Sequence, residues 1–142
     1  MDMGTMNALL AQYLAPATST VLWIGISCGL LLMSTLVYTA ITPYHEFRMI
    51  RSGNIAAMLS LAGVVIGFTL TLISVVLNAR NVVDMTIWAL IALVIQLVAF
   101  VLVSLVMPHF RAEMEKGNAA AGGLLGTVAL VVGMLTAACL VP

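Results

Sequence analysis

The chain has 142 residues, 63% of them hydrophobic and only 7% charged, with equal numbers of basic and acidic side chains and no net charge. A soluble domain carries about 25% charged residues, and a core of this size could not hide such an apolar excess, so the chain must use lipid as its solvent. The neutral balance leaves no basic patch for nucleic acid, and no cofactor or metal is implied.

The opening segment MDMGTMNALLAQYLAP has no cationic start, which argues against a secretory signal. Met6, Leu9, Leu10, Tyr13 and Leu14 recur at helical spacing. They predict a short interfacial amphipathic helix over residues 1–16, stopped by Pro16.

A spanning helix needs about 20 mainly apolar residues. Four stretches qualify: Thr18 to Thr42, Asn54 to Leu77, Met85 to Met107 and Asn118 to Val141. Unpaired strand edges are too costly in lipid, so the expected fold is an all-α membrane protein, an antiparallel bundle of four transmembrane helices. The whole chain forms one membrane domain, with hairpin units at 17–78 and 79–142.

Charges gather between the spans. The first connection holds His45, Glu46, Arg48 and Arg51, and the third holds His109, Arg111, Glu113, Glu115 and Lys116. Between them, the second connection offers Arg80 and Asp84. The excess of Lys and Arg in the first and third connections puts loops 43–53 and 108–117 in the cytoplasm and both termini outside.

The two halves echo each other. Trp23 and Trp88 are 65 residues apart, as are Pro43 and Pro108, while Gly53 and Gly117 are 64 apart. Each unit reads span, proline, charged turn, Gly-Asn, span. Two spans per unit give both copies one orientation, so the hairpins are expected as tandem parallel repeats. Pro43 and Pro108 end the outgoing helices, Gly53 and Gly117 permit the turn, and Asn54 and Asn118 cap the returning helices. The other reading of these turns is an anion site at a helix N-terminus beside the basic residues; capping is preferred.

Gly25/Gly29, Gly63/Gly67 and Gly122/Gly126 each form a GxxxG spacing that lets helix backbones approach. Some of these faces can serve self-association. Cys28 and Cys139 lie in apolar runs and are expected as buried small hydrophobes. Their depths differ by roughly 12–15 Å at 1.5 Å per residue, which argues against a disulfide.

No span centre carries an ionisable side chain, although ion relays usually leave one there. Gln96 is the most polar mid-span residue. It reads first as hydrogen-bond glue between helices and second as the lining of a polar cavity, with Thr69, Thr71 and Ser74 as companions. Glu46, with His45 beside it, is the strongest ionisable candidate. A solvated ion pair with Arg48 or Arg51 is the preferred reading of it, and a partly buried proton site the sharper one. Asp84 most simply caps the third span, and Arg80 pairs with it or with lipid.

The stretch TPYHEFRMIRSGNIAAMLSLAGVVIGF, the start of the third span at Asp84 to Trp88, Gln96, KGNAAA and LTAAC together resemble domain-of-unknown-function family 350, the YjfL-like bacterial inner-membrane proteins. The likeness runs from Val21 to Cys139. It marks Thr42, Pro43, Glu46, Gly53, Asn54, Gly67, Asp84, Gln96, Gly117 and Asn118 as family positions. It implies a four-span inner-membrane protein built from hairpin units, and no activity. The second unit departs from the first in having Phe110 or Arg111 where Glu46 stands.

Two functions are expected from these features. One is an oligomeric channel or transporter for protons or another small ion, with a dimer favoured and Glu46, His45, Gln96 and Asp84 as its candidates. The other is a non-transport scaffold or accessory subunit that recruits a protein or lipid partner. An enzyme is the least expected class, because nothing resembles a nucleophile set or a phosphate loop.

Overall fold

A computed structural model describes residues 3–107 and 109–140. The described residues form six helices and no strand: α1 (Met3–Ile41), α2 (Glu46–Arg51), α3 (Ile55–Asn78), α4 (Val82–Val106), α5 (Phe110–Glu115) and α6 (Ala119–Cys139). Helices α1, α3, α4 and α6 are long and apolar enough to cross a membrane. Their outward faces carry residues such as Leu22, Leu36, Ile66, Ile73, Val98 and Leu102, all exposed. An apolar exterior of this kind suits hydrocarbon, whereas water would penalise it.

The separate helix expected before Pro16 does not form. Helix α1 runs unbroken for 39 residues with Pro16 inside it, roughly 58 Å at 1.5 Å per residue, about twice the thickness of the hydrocarbon layer. Proline removes one backbone donor and crowds the preceding turn. Here a run of hydroxyls binds carbonyls beside it: Thr18 Oγ1 donates to Leu14 O at 2.7 Å, and Ser19 Oγ and Thr20 Oγ1 both donate to Pro16 O at 2.8 Å. These bonds lie on the turns around and after the proline and do not replace the donor that Pro16 lacks toward the carbonyl four residues before it. Met6, Tyr13 and Leu14 remain exposed.

At the centre lie α3 and α6, in backbone contact. A Cβ built on Gly63 would collide with the backbone of Gly126, one on Gly122 with Ala56, and one on Gly133 with Gly67. These pairs rise together along both helices, so α3 and α6 run parallel. Small residues allow such an approach, and van der Waals packing of the two backbones replaces the hydrophobic drive that lipid removes. Gly133 belongs to this seam although no GxxxG spacing marked it. Gly25 and Gly29 do not belong: nothing lies within 4 Å of a Cβ added at either. Helix α4 packs on both α3 and α6, and α1 packs on α3 and α4 from outside.

Polar side chains reinforce the seam. Gln96 Nε2 donates to Ala129 O at 3.1 Å, Thr71 Oγ1 to Gly133 O at 2.9 Å, and Ser74 Oγ to Ala137 O at 2.8 Å. The three acceptors are four residues apart, one stripe down α6. Thr69 instead bonds back to Val65 O at 2.7 Å. Both cysteines, expected inside, are free and exposed on the outer surface; a thiol on a lipid-facing surface meets the same apolar surroundings that a core would give it.

Candidate functional site

The turns between spans share one design. Helix α2 ends with Gly53 N donating to Ile50 O and Asn54 N to Met49 O, both at 3.0 Å, with Gly53 at φ 84°. Helix α5 ends with Gly117 N donating to Met114 O and Asn118 N to Glu113 O, also both at 3.0 Å, with Gly117 at φ 79°. This is the Schellman ending, in which a left-handed glycine lets two amides turn back onto the last carbonyls. Each following asparagine then opens the next helix: Asn54 Oδ1 accepts from Ala57 N, and Asn118 Oδ1 from Ala120 N, both at 3.0 Å. The two turns also touch, because Asn54 Nδ2 donates to Met114 O at 2.9 Å. Pro43 lies just after the end of α1, while Pro108 lies outside the described residues.

Glu46 opens α2 and is only 1% exposed, and neither carboxyl oxygen has a hydrogen-bond partner among the described residues. The expected ion pair with Arg48 or Arg51 is therefore absent among the described residues: the carboxyl points into the protein while both arginines are exposed. Tyr38 and Tyr44, both buried, stand beside it, and buried Ser60 and Phe110 pack against those two tyrosines in turn. Tyr38 Oη and Ser60 Oγ lie 3.2 Å apart, and the Tyr44 hydroxyl, also buried, has no hydrogen-bond partner among the described residues. The Tyr38 ring meets Phe100 edge-on at 5.5 Å, and the Tyr44 ring lies 6.5 Å from Phe110.

Burial pushes the Glu46 carboxyl up to about 8, with the Tyr38 hydroxyl pulling weakly the other way. Burial, together with the neighbouring Glu46 charge, also holds the Tyr44 phenol above its ordinary range. The carboxyl can therefore hold a proton at neutral pH and release it in mild alkali.

His45 is exposed beside Glu46, and its side chain caps nothing. It lines an open pocket of 490 Å³ with Thr39, Glu46, Phe47, Arg48 and Arg51. The other candidates lie elsewhere. Gln96 is 4% exposed and occupied with Ala129 in the packed seam. Asp84 lies at the opposite end of the bundle, and it does not cap α4 as expected. Asn81 Oδ1 accepts from Asp84 N at 2.9 Å, while Asp84 Oδ2 accepts from Arg80 N at 3.1 Å. The cap moved because α4 starts at Val82, which puts Asp84 three residues inside it, the place from which an acidic side chain reaches back to free amides. The sequence reading does not bring Tyr38 and Tyr44 to Glu46; two tyrosines flanking one loop glutamate are the available signal.

Fold and site together define a helical integral membrane protein with four apolar helices and a buried carboxyl between the first two. A family model, Domain of Unknown Function (DUF350), matches residues 8–140, and the chain belongs to that family. It is 37% identical over 124 residues to the UPF0719 inner membrane protein YjfL of Escherichia coli (strain K12), an alignment covering 87% of this chain and 92% of the relative. The relative of the same name in Escherichia coli O157:H7 matches with the same identity and coverage. No solved structure matches the chain significantly.

Proposed function

We propose that the protein conducts protons across a bacterial inner membrane as a homo-oligomer, a dimer being the simplest form, with Glu46 as its proton-holding group. The observation that carries this reading is the Glu46 carboxyl, buried beside Tyr38 without a cation or a hydrogen-bond partner among the described residues. A buried, unpaired carboxyl costs stability unless it is neutral, and such groups cluster where protons are exchanged. His45, exposed at the pocket, is placed to pass protons to and from solvent. The seam of α3 and α6 is closed by backbone contact, so a path belongs between copies rather than through one bundle.

The reading includes two tandem hairpins, 17–78 and 79–142, arisen by duplication. The parallel run of α3 and α6, the equal lengths of α2 and α5 and their matching glycine endings support it. It also puts both of these turns in the cytoplasm, because they carry four of the five cations. Gln96 and Asp84 have structural roles in this scheme.

Proteoliposomes holding the full chain should dissipate an imposed proton gradient faster than empty vesicles, and Glu46→Gln should return the rate to that of empty vesicles. Wild-type vesicles no leakier than empty ones would overturn the proposal and favour the scaffold alternative, in which the chain recruits a protein or lipid partner. A Glu46→Gln variant leaking at the wild-type rate would remove Glu46 from the path.

A further inference from the structure

Helices α2 and α5 both carry two cations at or near their ends, but they neutralise them differently. In and just after α5, Arg111 Nε meets Glu115 at 2.8 Å and Lys116 Nζ meets Glu113 at 2.9 Å, so each positive charge has a carboxylate. The one carboxylate of α2 is Glu46, which is turned inward. Arg48 and Arg51 are left exposed, without an ion pair among the described residues. They stand three apart on one helical face and line the 490 Å³ pocket at the end of α1. Phe47, half exposed, lies on the same rim.

We infer that this pocket binds the phosphate headgroup of an anionic phospholipid, with Arg48 and Arg51 on the phosphate and Phe47 against the acyl region. Guanidinium groups match phosphate oxygens in a fork that a lysine cannot reproduce. An aromatic ring beside them suits the boundary between headgroup and hydrocarbon. The pocket lies where the spans end, the depth at which lipid phosphates sit. Free phosphate would satisfy the arginines but would leave Phe47 exposed to water, so a lipid is the better occupant. The inference needs no proton conduction; it rests on the charge arrangement of α2 alone.

The test is native mass spectrometry of the full chain in neutral detergent, titrated with phosphatidylglycerol, phosphatidylcholine or inorganic phosphate. Phosphatidylglycerol should occupy one preferred site per copy, and phosphatidylcholine should bind more weakly. The double variant Arg48→Gln/Arg51→Gln should lose affinity by roughly fivefold per arginine, whereas Arg111→Gln/Lys116→Gln should bind as wild type. Both pairs are exposed, and an unchanged melting temperature will establish that each variant folds. Equal losses in the two double variants would reduce the effect to general surface charge and overturn the site. Wild-type affinity in Arg48→Gln/Arg51→Gln would overturn it directly, and full displacement of the lipid by inorganic phosphate would overturn the assignment to lipid.

Discussion

Glu46 and Phe110 hold the same place in two matching turns: each is the first residue of a six-residue helix that ends in a left-handed glycine. Both are buried, at 1% and 4% exposure. Where one turn puts a phenyl ring into the core, the other puts a carboxyl, and the two meet across Tyr44, whose ring lies 6.5 Å from that of Phe110. A ring at this position is ordinary packing. A carboxyl there has to be neutral or bring a partner with it.

That cost gives the first prediction. The Glu46 carboxyl has an ordinary value of 4.5 in the unfolded chain and about 8 in the folded one, so the folded state holds its proton more tightly. Its contribution to stability is complete below the lower value, declines through the interval and is lost above the upper one. The slope approaches about 1.4 kcal/mol per pH unit for one proton. Melting in detergent between pH 5 and pH 8 should show wild type losing stability relative to Glu46→Gln as pH rises. Parallel curves for the two proteins would mean that Glu46 ionises normally.

The second prediction concerns the α3–α6 seam. Gly63→Ala or Gly126→Ala inserts a methyl group into opposing backbone, and overpacking of this kind costs about 1–3 kcal/mol, more if the helices must separate. Gly25→Ala and Gly29→Ala meet open space. There the higher helix propensity of alanine should leave stability unchanged or raise it by up to about 1 kcal/mol. Thermal melting of all four variants decides it, and equal losses across the set would contradict the packing.

These glycines also mark how far the sequence could be read. Spans are legible because length, apolarity and terminal charge must agree for a helix to cross lipid, and the Gly-Asn turns because few residues tolerate a left-handed backbone. Spacing alone does not say which surface has a neighbour, so Gly25 and Gly29 looked equivalent to Gly63 and Gly67, while Gly133, a single glycine facing Gly67, left no mark. Pro16 suggests a break because its missing donor is visible, yet one lost bond does not end a helix that runs on through apolar residues on both sides. Glu46, two and five residues before arginines, reads as a solvated ion pair, and nothing local shows that it turns inward beside Tyr38 of another helix.

Gln96→Leu separates glue from pathway. The side chain loses its hydrogen bond to Ala129 O, worth about 0.6 kcal/mol on average between membrane helices and up to about 1.7. Stability should fall by that order, and proton flux per folded protein should be unchanged. Abolished flux with normal stability would place Gln96 in the path instead.

Asn54 and Asn118 each cap a helix and donate an amide, but only Asn54 reaches the other turn, and substitution can divide its two roles. The Asn54 side chain caps α3 by accepting from Ala57 N, and its amide donates to Met114 O in the other turn. Asn118 caps α6, but its amide donates to Glu113 within its own turn, where Asn118 and then Lys116 keep that exposed carboxylate below its ordinary range. Asn54→Ala should therefore cost about 1 kcal/mol for the lost cap plus about 1 kcal/mol for the lost bridge, and Asn118→Ala little more than the cap. Asn54→Asp keeps the acceptor and loses the donor, while it sets a carboxylate against the Met114 carbonyl oxygen. Its loss should lie between those of wild type and Asn54→Ala at low pH, where the new carboxyl can donate, and should grow as it ionises. Melting curves of the three variants at pH 4 and pH 7 test this order, and an Asn54→Asp protein as stable as wild type at both pH values would show that the bridge between the turns contributes nothing.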